Sequence, residues 1–116
     1  MIPKAGCLIA ITALMAQTQA SAQVYFRDGH RVVEDCRSSD AILRNNCSGY
    51  VLGVLDALEG ERTKSHQPSC LEPSPAAGET VTQFVAALEA NPAFNSPMPA
   101  IVGLSLAYQA RCKARS

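Results

Sequence analysis

The sequence predicts an all-α protein: a small single-domain bundle of about four helices cross-linked by two disulfides. Three observations carry that reading. In the stretch 39–60, Leu43, Cys47, Tyr50, Val51, Val54, Leu55 and Leu58 recur at spacings of three and four, the period of one helical face. No segment alternates apolar and polar residues with the two-residue period of a strand. Behind a leader-like N-terminus, the cysteines Cys36, Cys47, Cys70 and Cys112 form an even set in a small exported chain.

The leader comes first. Lys4 supplies a positive start, residues 5–16 are apolar and uncharged, and Ala20-Ser21-Ala22 places small residues where a signal peptidase reads them, so cleavage is expected before Gln23. The apolar run is shorter than the roughly 20 residues a membrane span needs. Cys7 reads as an ordinary small residue of that run. Residues 23–116 then make one domain of 94 residues, with nine basic and ten acidic side chains. That balance gives no electrostatic case for a nucleic acid or an anionic membrane. A chain this short has a modest core, and cross-links are a common remedy at that size.

Asp28 is an N-cap for a first helix over about 29–37, with Val32, Val33 and Cys36 inward. Ser38-Ser39-Asp40 breaks the chain, and Ser39 or Asp40 caps the long second helix. Gly60 is expected to end it. Gly49, Gly53 and Ala57, four apart, form a small-residue ridge, for which close packing by another helix of the same chain is the expected use and a contact between two copies the second. Residues 61–78 lack periodicity, and Cys70 divides them into an outer loop, 61–69, and a Pro-rich return. Thr80 and Gln83 match a capping box for the third helix, whose face is Val81, Phe84, Val85 and Leu88 and whose stop is Asn91-Pro92. Ser96-Pro97 is the expected start of the fourth, with Ile101, Val102, Leu104, Leu106 and Ala107 as its apolar content and Arg111, Lys113 and Arg115 at its end.

Four cysteines allow three pairings. The helix layout favours Cys36–Cys47, across the short turn between the first two helices, and Cys70–Cys112, where the end of the fourth helix returns beside the start of the third. A metal site is the rival reading, and the absence of any C-x-x-C pair speaks against it.

No catalytic set is visible, and no cofactor or metal is expected. Ser65 beside His66 is not a dyad, because adjacent side chains rarely face each other productively. Glu59 and Glu61, around Gly60, read as a solvated helix end. Asp56, inside Val54-Leu55-Asp56-Ala57-Leu58, reads first as a side chain bonded to nearby backbone and second as part of a partner surface.

The run Cys47-Ser48-Gly49-Tyr50-Val51-Leu52-Gly53-Val54-Leu55-Asp56-Ala57-Leu58, preceded by Cys36 and followed by Cys70-Leu71, Gln83, Val85, Leu88, Asn91-Pro92, Pro99-Ala100 and Cys112, resembles the Rap/Tai family of bacterial type VI secretion immunity proteins. The stretch 71–79 is longer than the family pattern, and Ala110-Arg111 stands before Cys112 in place of a proline. The resemblance implies a periplasmic, disulfide-linked helical protein that binds and occludes a peptidoglycan amidase effector and can form a homodimer. It also implies a loop that plugs the amidase groove. By position that loop is 61–69, with Glu61, Arg62, Lys64, Ser65, His66 and Gln67 as the contacting residues. The competing reading is a periplasmic helical binding or chaperone-like module with no toxin partner.

Overall fold

The computed structural model describes Gly6 and residues 27–71, 76–94 and 98–115. The leader, the lead-in 23–26 and the proposed Ser96-Pro97 cap lie outside these. Among the described residues there are four helices, α1 (Gly29–Cys36), α2 (Ala41–Lys64), α3 (Ala77–Glu89) and α4 (Ala100–Ala114), and one isolated β-bridge between Asp28 and Pro99. The fold class is all-α, with the expected disulfides Cys36–Cys47 and Cys70–Cys112.

The starts of α1 and α2 follow from capping. The Arg31 N–H donates to Asp28 Oδ1 at 2.7 Å, and the Ile42 N–H to Asp40 Oδ1 at 2.8 Å. Asp40, rather than Ser39, is the cap of α2.

Three expected boundaries are corrected. Gly60 does not end α2, which runs on to Lys64. A glycine inside a helix costs about 1 kcal/mol against alanine, which local packing can absorb, so it stops nothing by itself. The stop comes at His66, whose φ of 56° reverses the backbone. The capping box of α3 is absent. The helix starts at Ala77, so Thr80 lies inside it and its hydroxyl donates to the Ala76 carbonyl at 3.3 Å, while Gln83 donates to Glu79 rather than back to Thr80. Threonine hydroxyls make such bonds to the preceding turn in helix interiors. At α4 the helix begins at Ala100 behind Pro99. Its start is held by pairing with the chain entering α1: the Ala100 N–H donates to the Arg27 carbonyl at 3.0 Å and the Gly29 N–H to the Met98 carbonyl at 2.9 Å.

The core draws on all four helices. Val32, Val51, Leu55, Leu88 and Leu104 are fully buried with Cys47 and Cys70. Gly103 permits the closest approach: a Cβ there would overlap Leu88 Cδ1 and come within 2.8 Å of Met98 Cε. Leu88 beside Gly103 and Gln83 beside Arg111 make α3 and α4 antiparallel. Asp35, buried on α1, is paired with Arg27 at 3.1 Å and Arg31 at 3.4 Å, and the Arg27 guanidinium lies 5.5 Å from the Tyr50 ring centre. Burying a carboxylate is tolerated only with such partners.

Part of the apolar content of α4 and the small-residue ridge of α2 turn outward. Ile101, Val102 and Leu106 are 44–49% exposed, and Ala100, Gly103, Leu104 and Tyr108 carry the buried side of α4. The helix is apolar on several sides, so periodicity does not fix its rotation. Gly49, Gly53 and Ala57 are exposed, which overturns their expected use in packing against another helix of the chain. A Cβ added at Gly49 or Gly53 would meet nothing within 4 Å. Gly49→Ala and Gly53→Ala should therefore each stabilise the protein by roughly 0.5–1 kcal/mol. The reading is a higher urea midpoint at unchanged slope, and a fall in the midpoint would show that the ridge is covered in solution.

Candidate functional site

The end of α2 and the short loop after it are built as one rigid piece. His66 takes the position where glycine usually ends a helix. Its N–H donates to the Thr63 carbonyl at 3.1 Å, and the Gln67 N–H donates to the Arg62 carbonyl at 2.8 Å. These two bonds complete a Schellman motif and satisfy the last carbonyls of the helix. Histidine is among the residues that tolerate this conformation, at a cost glycine would not have. Arg62 and Lys64 in the last turn complement the negative end of the helix dipole.

The loop is then pinned from both ends. Arg62 reaches across it, with Nε donating to the Pro68 carbonyl at 2.7 Å. Glu59, one turn further back on α2, accepts from the Cys70 N–H at 2.9 Å and from the Tyr108 hydroxyl of α4 at 2.8 Å. Cys70 is bonded to Cys112 of α4. Carboxylate, phenol and disulfide thus join α2, the far end of the loop and α4 at one point.

The electrostatics agree with the geometry. Burial works to raise the Glu59 carboxyl, but hydrogen bonds from Ser69, Tyr108 and the Cys70 and Leu71 backbone outweigh it and hold the group below its usual value. Burial, then the hydrogen bond to Glu59 and its charge, push the Tyr108 phenol up to about 12, against an opposing effect of Arg62. A lowered carboxyl stabilises the fold above its unfolded value and loses that contribution as the pH falls. A raised phenol stabilises below about 10 and loses its contribution as the pH rises towards 12. Glu59→Gln should cost roughly 1–2 kcal/mol at neutral pH and flatten the acid limb of a melting-temperature profile below about pH 5, while Tyr108→Phe flattens the limb above about pH 10. A Glu59→Gln profile parallel to the wild type on the acid limb would show that Glu59 is not the titrating latch.

The residues proposed for contact fall into two groups. Glu61, Arg62 and Lys64 belong to the last turn of α2, so the outer loop is 65–69 rather than 61–69. Ser65 is the C-cap and His66 and Gln67 form the turn. All but the half-buried Arg62 are exposed. Glu59 and Tyr108 are missing from the sequence-based set, and Glu59 is a loop anchor rather than a solvated helix end. No sequence signal joins two residues so far apart on different helices. Asp56 is exposed on the same side of α2 as Gly49 and Gly53, and among the described residues its side chain makes no hydrogen bond to backbone, contrary to the first reading of it.

Among the described residues no group of His, Cys, Asp or Glu is placed to hold a metal ion, and no helix is long and apolar enough to cross a membrane. A family model described as Rap1a immunity proteins matches residues 28–112. No curated protein and no solved structure matches the chain.

Proposed function

The chain belongs to the Rap1a immunity proteins, and from that membership we propose that it is a periplasmic inhibitor of a peptidoglycan amidase delivered by type VI secretion. It binds the enzyme and occludes its groove, and it performs no reaction itself. The observation that carries this reading is the pinned loop 65–69, with Ser65, His66 and Gln67 exposed on it and Glu61 and Lys64 on the turn below. Fixing a flexible backbone costs about 1–2 kcal/mol per residue, and a loop already fixed in the free protein avoids that cost on binding. Backbone held in a sparsely populated conformation, as at His66, is a feature that clusters at binding sites.

The loop test replaces 65–69 with a Gly-Ser segment of equal length and keeps Arg62, Glu59 and both disulfides. Inhibition of the cognate amidase should weaken by about a hundredfold or more, roughly 2.7 kcal/mol, at a nearly unchanged melting temperature. Undiminished inhibition would sink the plug. Export is checked separately: the protein recovered from periplasm should begin at Gln23. Dimerisation, expected from the family, is read from the mass of the purified protein by light scattering. The exposed row Ile101, Val102 and Leu106 favours a second reading, a helical chaperone-like module, which predicts suppression of client aggregation without any amidase.

A further inference from the structure

We infer that Asp28-Gly29, at the joint between α1 and α4, is a fold-gated isomerisation site: the Asp28 carboxyl condenses with the Gly29 nitrogen when the joint opens, and the product cannot rebuild the joint. The reaction depends on the fold and not on any partner.

The pair has the chemistry for it. Glycine after aspartate leaves the attacking backbone nitrogen unshielded, because no Cβ stands beside it. The Gly29 nitrogen attacks Asp28 Cγ. A C–N bond forms, a C–O bond breaks, and the amide proton leaves with the hydroxyl as water. Water then opens the five-membered imide at either carbonyl. One opening restores aspartate. The other carries the main chain through Cβ and Cγ and makes isoaspartate, with the former backbone carboxyl left as the side group. Water is the only reagent.

The closed fold opposes each step of ring closure. Gly29 is buried, and its N–H donates to the Met98 carbonyl at 2.9 Å. Asp28 Oδ1 is occupied by the Arg31 N–H at 2.7 Å. The Asp28 backbone is extended, with ψ at 164°, which keeps the Gly29 nitrogen away from Cγ. Closing the ring takes a large rotation about that bond and the loss of both hydrogen bonds.

The joint itself is held without covalent help. The Ala100 N–H donates to the Arg27 carbonyl at 3.0 Å, Arg27 pairs with Asp35 at 3.1 Å, and the His30 ring stacks on Phe94 with centres 4.0 Å apart. Cys36 is at the opposite end of α1 and Cys112 is near the opposite end of α4, so neither disulfide closes this joint. Segments tied in this way open locally at less than the free energy of global unfolding. Isoaspartate no longer sets a carboxylate over the Arg31 N–H or the Gly29 N–H against Met98. The cap of α1 and the pairing with α4 are then lost together.

The test uses Asp28→Asn as a faster probe. Asparagine caps a helix as well as aspartate does, and it forms the same imide with ammonia as the leaving group. Conversion of the amide to the acid at residue 28 is followed by mass spectrometry in the folded protein and in urea with both disulfides intact. The folded protein should react at least about tenfold more slowly than the unfolded chain. Adding Arg27→Gln should raise the folded rate by at least about threefold and leave the rate in urea unchanged. The isoaspartyl product should melt below the unreacted protein. In aged wild-type protein the same product shows as lost cleavage before residue 28 by an aspartate-specific endoproteinase. Equal rates in the folded and unfolded protein, indifference to Arg27→Gln, or an unchanged melting temperature of the isoaspartyl product would each overturn the gated site.

Discussion

Replacing Cys70 and Cys112 together with serine is expected to lower the melting temperature by roughly 15–30 °C. The pair closes a sequence separation of 42 residues, against 11 for Cys36–Cys47. In the chain-entropy description the longer closure stabilises by about 4 kcal/mol and the shorter by about 3. A domain of this size is held by only about 5–15 kcal/mol in total, so full reduction should bring the protein close to its unfolding midpoint at room temperature. The two double mutants should also differ in kind. Loss of Cys36–Cys47 weakens the α1–α2 contact and leaves the loop anchored. Loss of Cys70–Cys112 leaves the loop held on its far side by the hydrogen bonds of Glu59 and Arg62 alone. On the proposed function, only the second should lose inhibitory affinity at a temperature where both variants remain folded. Thermal melting with and without reductant, beside the inhibition assay, reads both effects. Equal affinity in the two variants would detach the disulfide from the loop's role.

Leu88→Ala is expected to cost roughly 3–4 kcal/mol. Leu88 is fully buried and stands between two glycines of other helices. Its Cδ1 is 3.5 Å from where a Cβ of Gly29 would lie, and a Cβ on Gly103 would overlap it. Truncation opens a hole where α1, α3 and α4 meet, and their backbones are fixed by the Asp28–Pro99 bridge and the Arg37–Glu89 pair. The site therefore has little freedom to collapse. A second substitution tests the explanation. Gly103→Ala alone should destabilise by about 1–3 kcal/mol through crowding. In the Leu88→Ala background the added methyl enters the vacated space, and the cost should shrink or reverse, a coupling of at least about 1 kcal/mol. Urea unfolding of the four proteins measures it, and simple additivity would remove the claim that Gly103 is glycine because of Leu88.

Much of this architecture is legible because it is local. Asp28 and Asp40 cap the next turn of their own chain, and the inward face of α2 from Cys47 to Leu58 repeats at the helical period. Helix order favours the disulfides that are present among the three pairings four cysteines allow, because the short turn between α1 and α2 brings Cys36 beside Cys47. What escaped reading depends on distance or on the lack of a preference. Glu59 meets Tyr108 only after α4 has packed, so its carboxylate looks like any acid at a helix end. Asp35 is buried only because Arg27 and Arg31 converge on it. Gly60 carries a stop signal that the helix ignores, and His66 stops it without being a glycine. α4 has apolar side chains on several sides, and only the packing around Gly103 decides which of them turn outward. The loop tethered at Cys70 was legible and its boundary was not, since part of what reads as loop is the last turn of α2.

The two halves of the clamp are not born together. Cys112 is synthesised 42 residues after Cys70, a lag of about 2–8 s at ordinary elongation rates. Until α4 exists, Glu59 has no phenol to hold and Cys70 has no thiol to meet. An incomplete chain, or one still in a reducing compartment, therefore presents an unfinished tip. Competence of the tip becomes a certificate that synthesis and oxidation have both been completed.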